Sequence, residues 1–70
     1  MASQININFG NKVRELRAKL DISQEELASR SSLHRTYIGM IERAEKNITL
    51  IGIEKIANGL NMSVIDLMDI

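Results

Sequence analysis

One face of the segment between residues 35 and 43 carries the side chains best suited to a partner rich in hydrogen-bond acceptors. At about 100° per residue of helix, Ile38 and Ile41 mark the buried side. The opposite side offers two guanidinium groups, a hydroxyl and a thioether, with no carboxylate among them. Such groups suit the major groove of DNA, where base acceptors are flanked by phosphates. We interpret these four residues as base-reading residues: Arg35, Thr36, Met40 and Arg43.

Polar side chains on either side of this face are predicted to contact the DNA backbone. Gln24 begins the preceding helix, where its amide and the free N–H groups of a helix N-terminus can hold a phosphate. Tyr37 offers a hydroxyl to a phosphate, with packing in the core as the alternative. A solvated or purely structural role is the alternative for the others. The predicted backbone set is Gln24, Ser32, His34, Tyr37, Lys46 and Asn47.

No group of residues predicts catalysis. His34 is the only histidine, and the chain has no cysteine. A hydrolase would need a carboxylate to orient the histidine and a concave pocket, which a chain this short can scarcely form. A zinc site would need further histidine or cysteine ligands. We therefore predict a protein that is not an enzyme and has no metal and no cofactor, with His34 as a helix cap or a phosphate contact.

The elements that must position these side chains are helices. Helical spacing of apolar residues dominates the chain, and the strict alternation typical of strands never persists. The first helix would be capped by Asn6 or Asn8. Its apolar stripe consists of Phe9, Val13, Leu16 and Leu20. The sequence thus predicts an all-α fold that starts with an amphipathic helix.

The second predicted helix has a sharp N-terminal signal. Ser23 followed by Glu26 forms a capping box, in which each side chain accepts from the other residue's amide. Ile22 and Leu27 occupy the two positions of a hydrophobic staple. The helix would end near Arg30, and the short polar turn that follows leads into the third helix. The dimensions predict a helix-turn-helix over residues 23–43.

Two further helices complete the predicted fold. Thr49 caps the fourth, which Asn61 ends in a left-handed conformation. Ser63, with Asp66 three residues later, caps a last short helix over about residues 64–68. The predicted inward stripe of the fourth helix is Leu50, Ile53, Ile56, Ala57 and Leu60. Five helices therefore make one compact domain over residues 1–70.

The chain resembles the Cro/repressor (Xre-like) helix-turn-helix family from Phe9 to about Leu67. Three stretches carry the resemblance: the Ser23-Gln24-Glu25-Glu26 opening, Leu27-Ala28, and Tyr37-Ile38-x-x-Ile41-Glu42-Arg43. The stretch Leu33-His34-Arg35-Thr36-Tyr37-Ile38 is most similar to the controller proteins of restriction–modification operons. The resemblance implies a lambda-repressor-like fold and a homodimer on a palindromic operator near a promoter, with RNA polymerase as a further partner.

The resemblance also assigns structural roles and exposes departures. It implies an ion pair between Arg17 and Glu42 that ties the first helix to the third. The family usually has glycine where Ser32 and Ala44 stand, and proline is common where Ile48 stands. If Ser32 and Ala44 keep a positive φ, each costs about 1 kcal/mol.

Small size and leftover apolar residues predict a dimer. A chain of 70 residues buries only about 60% of its unfolded surface, so burial against a second subunit would add stability. The final helix holds more apolar residues than one buried face can use, and such surplus usually marks an interface. We predict an interface within about residues 48–70, formed by Ile51, Val64, Ile65 and Met68.

The net charge is zero, but its distribution is uneven. Residues 12–46 carry eight Lys/Arg and six Asp/Glu, whereas residues 47–70 carry one against three. The basic half can therefore face DNA while the acidic half faces the partner subunit. No apolar run approaches the roughly 18 residues of a membrane span. We expect a soluble, cytoplasmic bacterial or phage protein that associates with the nucleoid.

These observations predict a sequence-specific transcriptional regulator of a restriction–modification operon. Within the same class, an autorepressing antitoxin or a small phage-type repressor is the alternative. From a different class, a helical protein-interaction module that does not bind DNA would share the fold. Such a module has no need for the carboxylate-free, arginine-bearing face of the third helix.

The base-reading interpretation makes Arg35 the most informative substitution. We expect Arg35→Ala to weaken binding to the specific site by about 1–3 kcal/mol, because a bidentate contact to guanine is lost. Binding to random duplex DNA should change much less. Titrations on both duplexes measure the difference, and equal losses would show that Arg35 contacts only the backbone.

Overall fold

The computed structural model describes residues 2–70, which form five helices and no strand. The described residues fold around one core. Together they measure 28 × 24 × 22 Å. The predicted all-α, five-helix fold is confirmed. The helices are α1 (Gln4–Lys19), α2 (Gln24–Ser31), α3 (Arg35–Glu42), α4 (Leu50–Gly59) and α5 (Val64–Leu67).

Every one of these helices begins at a side chain that accepts a hydrogen bond from a backbone amide of its first turn. Such caps satisfy one of the amides that a helix N-terminus leaves unpaired. The prediction of Asn6 or Asn8 as the first cap was wrong, because α1 extends back to Gln4 through mostly exposed residues that carry no apolar stripe. The caps are Ser3, Ser23, His34, Thr49 and Ser63.

Only half of the predicted capping box on α2 forms. The Ser23 hydroxyl accepts from the Glu26 amide at 3.0 Å. The Glu26 carboxylate turns along the helix instead and accepts from Arg30 Nε at 3.0 Å. An exposed carboxylate has a charged donor one turn away, and that ion pair competes with the neutral amide of the cap.

Four helices end in the same way, with a left-handed residue that reverses the chain. Asp21, Ser32, Ala44 and Asn61 have φ between 54° and 57°. In each case the amide of the next residue donates to a carbonyl five positions back, as in a Schellman motif. Ser32 and Ala44 therefore keep the positive φ that glycine usually adopts in the family, although a side chain makes this conformation unfavourable.

The core lies where α1, α2, α3 and α4 meet, and α5 closes it through Leu67. Two predicted core residues are exposed: Leu20 at 45% and Leu50 at 85%. Leu20 lies just beyond the end of α1, and Leu50 is the first residue of α4, one turn before the covered part of that helix. The buried apolar residues are Phe9, Val13, Leu27, Ala28, Ile38, Ile41, Ile53, Ile56, Ala57, Leu60 and Leu67.

The crossing of α1 with α3 depends on Gly10. A Cβ at this position would lie 2.5 Å from the carbonyl oxygen of Ile41 and 2.9 Å from that of Glu42. Both contacts are with backbone, which cannot rotate away as a side chain can. The absence of a side chain therefore sets how closely α1 approaches the end of α3.

We expect Gly10→Ala to destabilise the protein by about 1–3 kcal/mol, because α1 and α3 must separate. The intrinsic helix propensity of alanine acts in the opposite direction, so a net loss identifies the close approach. Urea unfolding measures the change. The neighbouring variant Asn11→Ala is exposed and should stay within about 0.5 kcal/mol of wild type. Equal stability of the two variants would contradict the prediction.

Candidate nucleic-acid interface

A buried carboxylate holds α3 in place. The side chain of Glu42, at the end of α3, is only 2% exposed. Its Oε2 accepts from Arg17 Nε at 2.8 Å, and its Oε1 accepts from Arg17 Nη2 and Gln24 Nε2, both at 3.1 Å. Arg14 Nη2 donates to the Glu42 carbonyl at 2.8 Å. One residue thus joins α1, α2 and α3, and the ion pair implied by the family resemblance is present.

Arg17 is held at both edges of its guanidinium. Nη1 donates to the carbonyl of Ile22 at 2.9 Å, on the turn between α1 and α2. Hydrogen bonding to Glu42 and the charge of that carboxylate raise the pKa of Arg17 above its ordinary value, against the opposing effect of burial. The ion pair therefore favours the charged form of Arg17.

The helix-turn-helix presents the outward face of α3 to solvent. Arg35, Thr36 and Arg43 are exposed, and Met40 is half-buried. Ile38 and Ile41 are buried on the opposite side, as the helical spacing predicted. All four residues that we interpreted as base-reading therefore lie on the accessible side of α3 or at its edge.

Carboxylates from outside α3 approach this face, which the sequence pattern did not reveal. Glu25 Oε1 on α2 lies 3.3 Å from Arg35 Nη1, and Glu45 Oε2 in the following loop lies 3.1 Å from Arg43 Nε. All four side chains are more than half exposed. Exposed pairs of this kind contribute about 0–1 kcal/mol, so a phosphate or a base can displace the carboxylates.

Three of the predicted backbone contacts have structural roles of their own. His34 caps α3, since its Nδ1 accepts from the Thr36 amide at 3.3 Å. Gln24 is half-buried and donates to Glu42, so only part of its amide is available to a phosphate. Ser32 is exposed at the left-handed end of α2.

The other three predicted backbone contacts are Tyr37, in the first turn of α3, and Lys46 and Asn47, in the loop after it. The ring of Tyr37 packs against the core, with Lys46 Nζ 5.8 Å from its centroid. Asn47 Oδ1 accepts from Asn6 Nδ2 at 2.6 Å, which ties the loop to α1. A polar groove of about 500 Å³ runs between this loop and the start of α1, where Ser3 also lines it. The sequence pattern did not indicate that Ser3 and Asn6 line this groove, because only the tertiary fold brings them beside residues 43–47.

Exposed apolar side chains lie on α4 and α5, where the dimer interface was predicted. Ile51 is 66% exposed, Val64 42% and Ile65 82%. Met68 is half-buried and packs against the core, so it offers less surface to a partner than expected. Leu50, misassigned to the core, belongs with the exposed set.

Metal-ligand clusters and membrane-spanning helices are both absent from the described part of the chain. Residues 2–70 contain no cluster of three metal-ligating side chains. No helix over the same residues is long and apolar enough to cross a membrane.

The fold and this interface define a class of protein, and comparison with known proteins agrees. A model of the helix-turn-helix family matches residues 13–67, so the chain belongs to this family of DNA-binding proteins. Within it, the chain belongs to the restriction–modification controller proteins. It is 47% identical to control protein C.BamHI of Bacillus amyloliquefaciens, over 99% of this chain and 86% of that protein. It is 42% identical to control protein C.MunI of Mycoplasma sp, over 93% and 89%.

Solved structures match equally well. The controller protein C.AhdI from Aeromonas hydrophila superposes with a TM-score of 0.86 at 40% identity, over 89% of this chain and 94% of that one. The controller protein C.Esp1396I gives a TM-score of 0.89 at 33% identity, over 96% and 87%. The resemblance read from the sequence is therefore confirmed for both the fold and the family.

The buried network predicts strong and non-additive effects of substitution. We expect Glu42→Met or Arg17→Met alone to cost about 3–5 kcal/mol, since each leaves a buried or half-buried charge without its main partner. The double variant should cost less than the worse single variant, because no unpaired charge remains. Urea unfolding of all three measures this pattern.

An exposed ion pair supplies the control for that experiment. Glu26→Gln disrupts the pair with Arg30 on the surface of α2 and should cost less than about 0.5 kcal/mol. If the loss of stability in the double variant equals the sum of the two single losses, Arg17 and Glu42 do not depend on each other.

Proposed function

We propose that the protein binds a palindromic DNA operator as a homodimer and thereby controls transcription of a restriction–modification operon. The observation that carries this proposal is the outward face of α3, with its two exposed arginines, held in a helix-turn-helix by the buried Glu42 network. Double-stranded DNA, a second copy of the chain and, at the promoter, RNA polymerase are the proposed partners. The protein would act as a regulator and not as an enzyme, in the cytoplasm and close to the nucleoid.

The proposed readout divides the interface into two groups. Arg35, Thr36, Met40 and Arg43 would contact base edges, and arginine pairs best with guanine O6 and N7. Residues at the start of α2 and around both ends of α3 would hold the phosphates and set the register. This second group consists of Gln24, Ser32, His34, Tyr37, Lys46 and Asn47.

The regulatory role is supported by the relatives. C.BamHI and C.MunI are both named as control proteins, and C.AhdI is named as a restriction–modification controller protein. The chain covers at least 86% of each of these proteins, so little of them lies outside the comparison. We propose the same role for this chain.

The proposed dimer uses the exposed apolar side chains of α4 and α5. Residues 48–70 would contribute the interface, with Ile51, Val64 and Ile65 as its main apolar contacts and Met68 at its edge. A two-fold axis through this region would present two copies of α3 on one side of the dimer. Binding to half-sites about 34 Å apart, one turn of DNA, would follow from that symmetry.

Selection of duplexes from a random pool at low salt tests the proposal. The expected product is an inverted repeat whose half-sites are separated by about one helical turn. Titration of the selected duplex against a scrambled duplex of the same composition gives the specificity ratio. Equal affinity for the two duplexes, or no binding to either, would overturn the proposed function.

The dimer prediction concerns Ile65. We expect Ile65→Glu, alone or with Ile51→Glu, to give folded monomers, because each replaces a solvent-exposed apolar side chain of one subunit with a charge that must be desolvated in the interface. Operator affinity should fall by more than tenfold, since two half-sites no longer bind as one unit.

Sedimentation, circular dichroism and operator titration together measure these effects. Asn58→Glu, which adds the same charge at an exposed polar position of α4, is the matched control and should remain dimeric. A persistent dimer in the Ile65 variants would move the interface elsewhere, and loss of helical signal would assign Ile65 to the core.

A further inference from the structure

Gly39 is buried, although helical spacing places it near the exposed face of α3. The atoms that cover it belong to two side chains. A Cβ at position 39 would lie 3.0 Å from Arg43 Nη1, 3.6 Å from Arg43 Nη2 and 3.6 Å from Gln24 Oε1. The space that a side chain at position 39 would fill, here called the Gly39 gap, is thus occupied by the Arg43 guanidinium.

The position of Arg43 explains why its guanidinium reaches this gap. Side chains on a helix lean towards its N-terminus, and Arg43 follows Gly39 by four residues, about one turn. Its chain therefore folds back along α3 and does not extend past the helix end. Glu45 Oε2, 3.1 Å from Arg43 Nε, holds the other side of the same guanidinium.

Gln24 supplies a further constraint on this arrangement. Glu42 accepts hydrogen bonds from two Arg17 nitrogens, so its carboxylate is an acceptor in this network. Gln24 must therefore turn its NH2 group towards Glu42, at 3.1 Å. The amide oxygen is left facing the Gly39 gap beside the guanidinium. The buried network thus places an acceptor at the same gap that the Arg43 guanidinium occupies.

We propose that Gly39 is a positioning residue that sets where Arg43 contacts DNA. The absence of a side chain lets the guanidinium lie back along the outward face of α3, over the gap that the Gln24 amide oxygen also faces. The proposal rests on the proposed function, in which Arg43 is a base-reading residue. It assigns Gly39 a role in specificity that acts through Arg43 and not through a contact of its own.

Two substitutions alter the Gly39 gap by different amounts. Gly39→Ala brings a methyl group to within 3.0 Å of Nη1, so the guanidinium must shift by a few tenths of an ångström. Gly39→Leu fills the gap and displaces the guanidinium altogether. Alanine and leucine both favour helix more than glycine does, so neither change removes intrinsic support for α3.

A double-mutant cycle with Arg43→Ala tests the proposal on the duplex selected by the wild-type protein. Gly39→Leu should lower affinity about tenfold when Arg43 is present and less than about twofold in the Arg43→Ala background. Gly39→Ala should lie between wild type and Gly39→Leu. Affinity for a scrambled duplex should change less than about twofold in every variant, and thermal unfolding confirms that each is folded.

Base preference provides a readout that loss of folding would not produce. Repeated selection with Gly39→Leu should relax the preference at one base pair of each half-site. The pair affected should be the one at which Arg43→Ala also shows no preference.

The alternatives give distinct results. Equal losses in both backgrounds would mean that Gly39 itself approaches DNA, and unchanged affinity would mean that Arg43 does not need the Gly39 gap. Either result would overturn this inference and leave the proposed function standing. Failure of the wild-type protein to select any sequence would overturn both.

Discussion

The buried carboxylate of Glu42 is the constraint on which the arrangement of the helix-turn-helix depends. A charge that is almost fully removed from water must be compensated, and Arg17 and Gln24 supply the donors. Because those donors come from α1 and α2, satisfying the carboxylate also fixes how α3 lies against both helices. Glu42 ends α3, so the same contacts orient the outward face that carries Arg35 and Arg43. Under the proposed function, this structural ion pair also positions the residues that would read DNA.

The helix crossing at Gly10 and the short left-handed turns pack the helices of this small domain closely together. Gly10 lets α1 approach the backbone of α3, and four non-glycine residues adopt left-handed conformations to reverse the chain within short turns. Each such turn has an energetic cost, and a core of this size leaves little surplus stability to offset it. Exposed Ile51 and Ile65 are consistent with this view, because burial in a second subunit would add the apolar area that one chain lacks.

Positive charge at the interface is neutralised by neighbouring carboxylates, just as the charges of the whole chain cancel. Arg35 and Arg43 each face an exposed carboxylate in the free protein, and the net charge of the chain is zero. Attraction to the phosphate backbone is therefore weaker than in a strongly basic protein, which limits non-specific binding. The exposed pairs can be exchanged for base or phosphate contacts at little cost. Such a design favours discrimination by geometry, and it makes the exact position of each guanidinium important.

Local signals in the sequence were enough to determine the helices, most of their caps, the outward face of α3 and the family, because capping and helical periodicity depend on neighbouring residues. The exposure of Leu50, the burial of Gly39 and the carboxylates beside Arg35 and Arg43 were decided only by the tertiary structure. Each depends on which side chain folds over a residue or lies opposite it, and periodicity carries no such information. The pattern of α4 thus placed Leu50 on the inward stripe, but no part of the fold covers this first residue of the helix, which is 85% exposed. Likewise, the pattern of α3 placed its arginines on the outward face, while Arg43 folds back over Gly39 and the carboxylates beside the arginines come from α2 and the following loop.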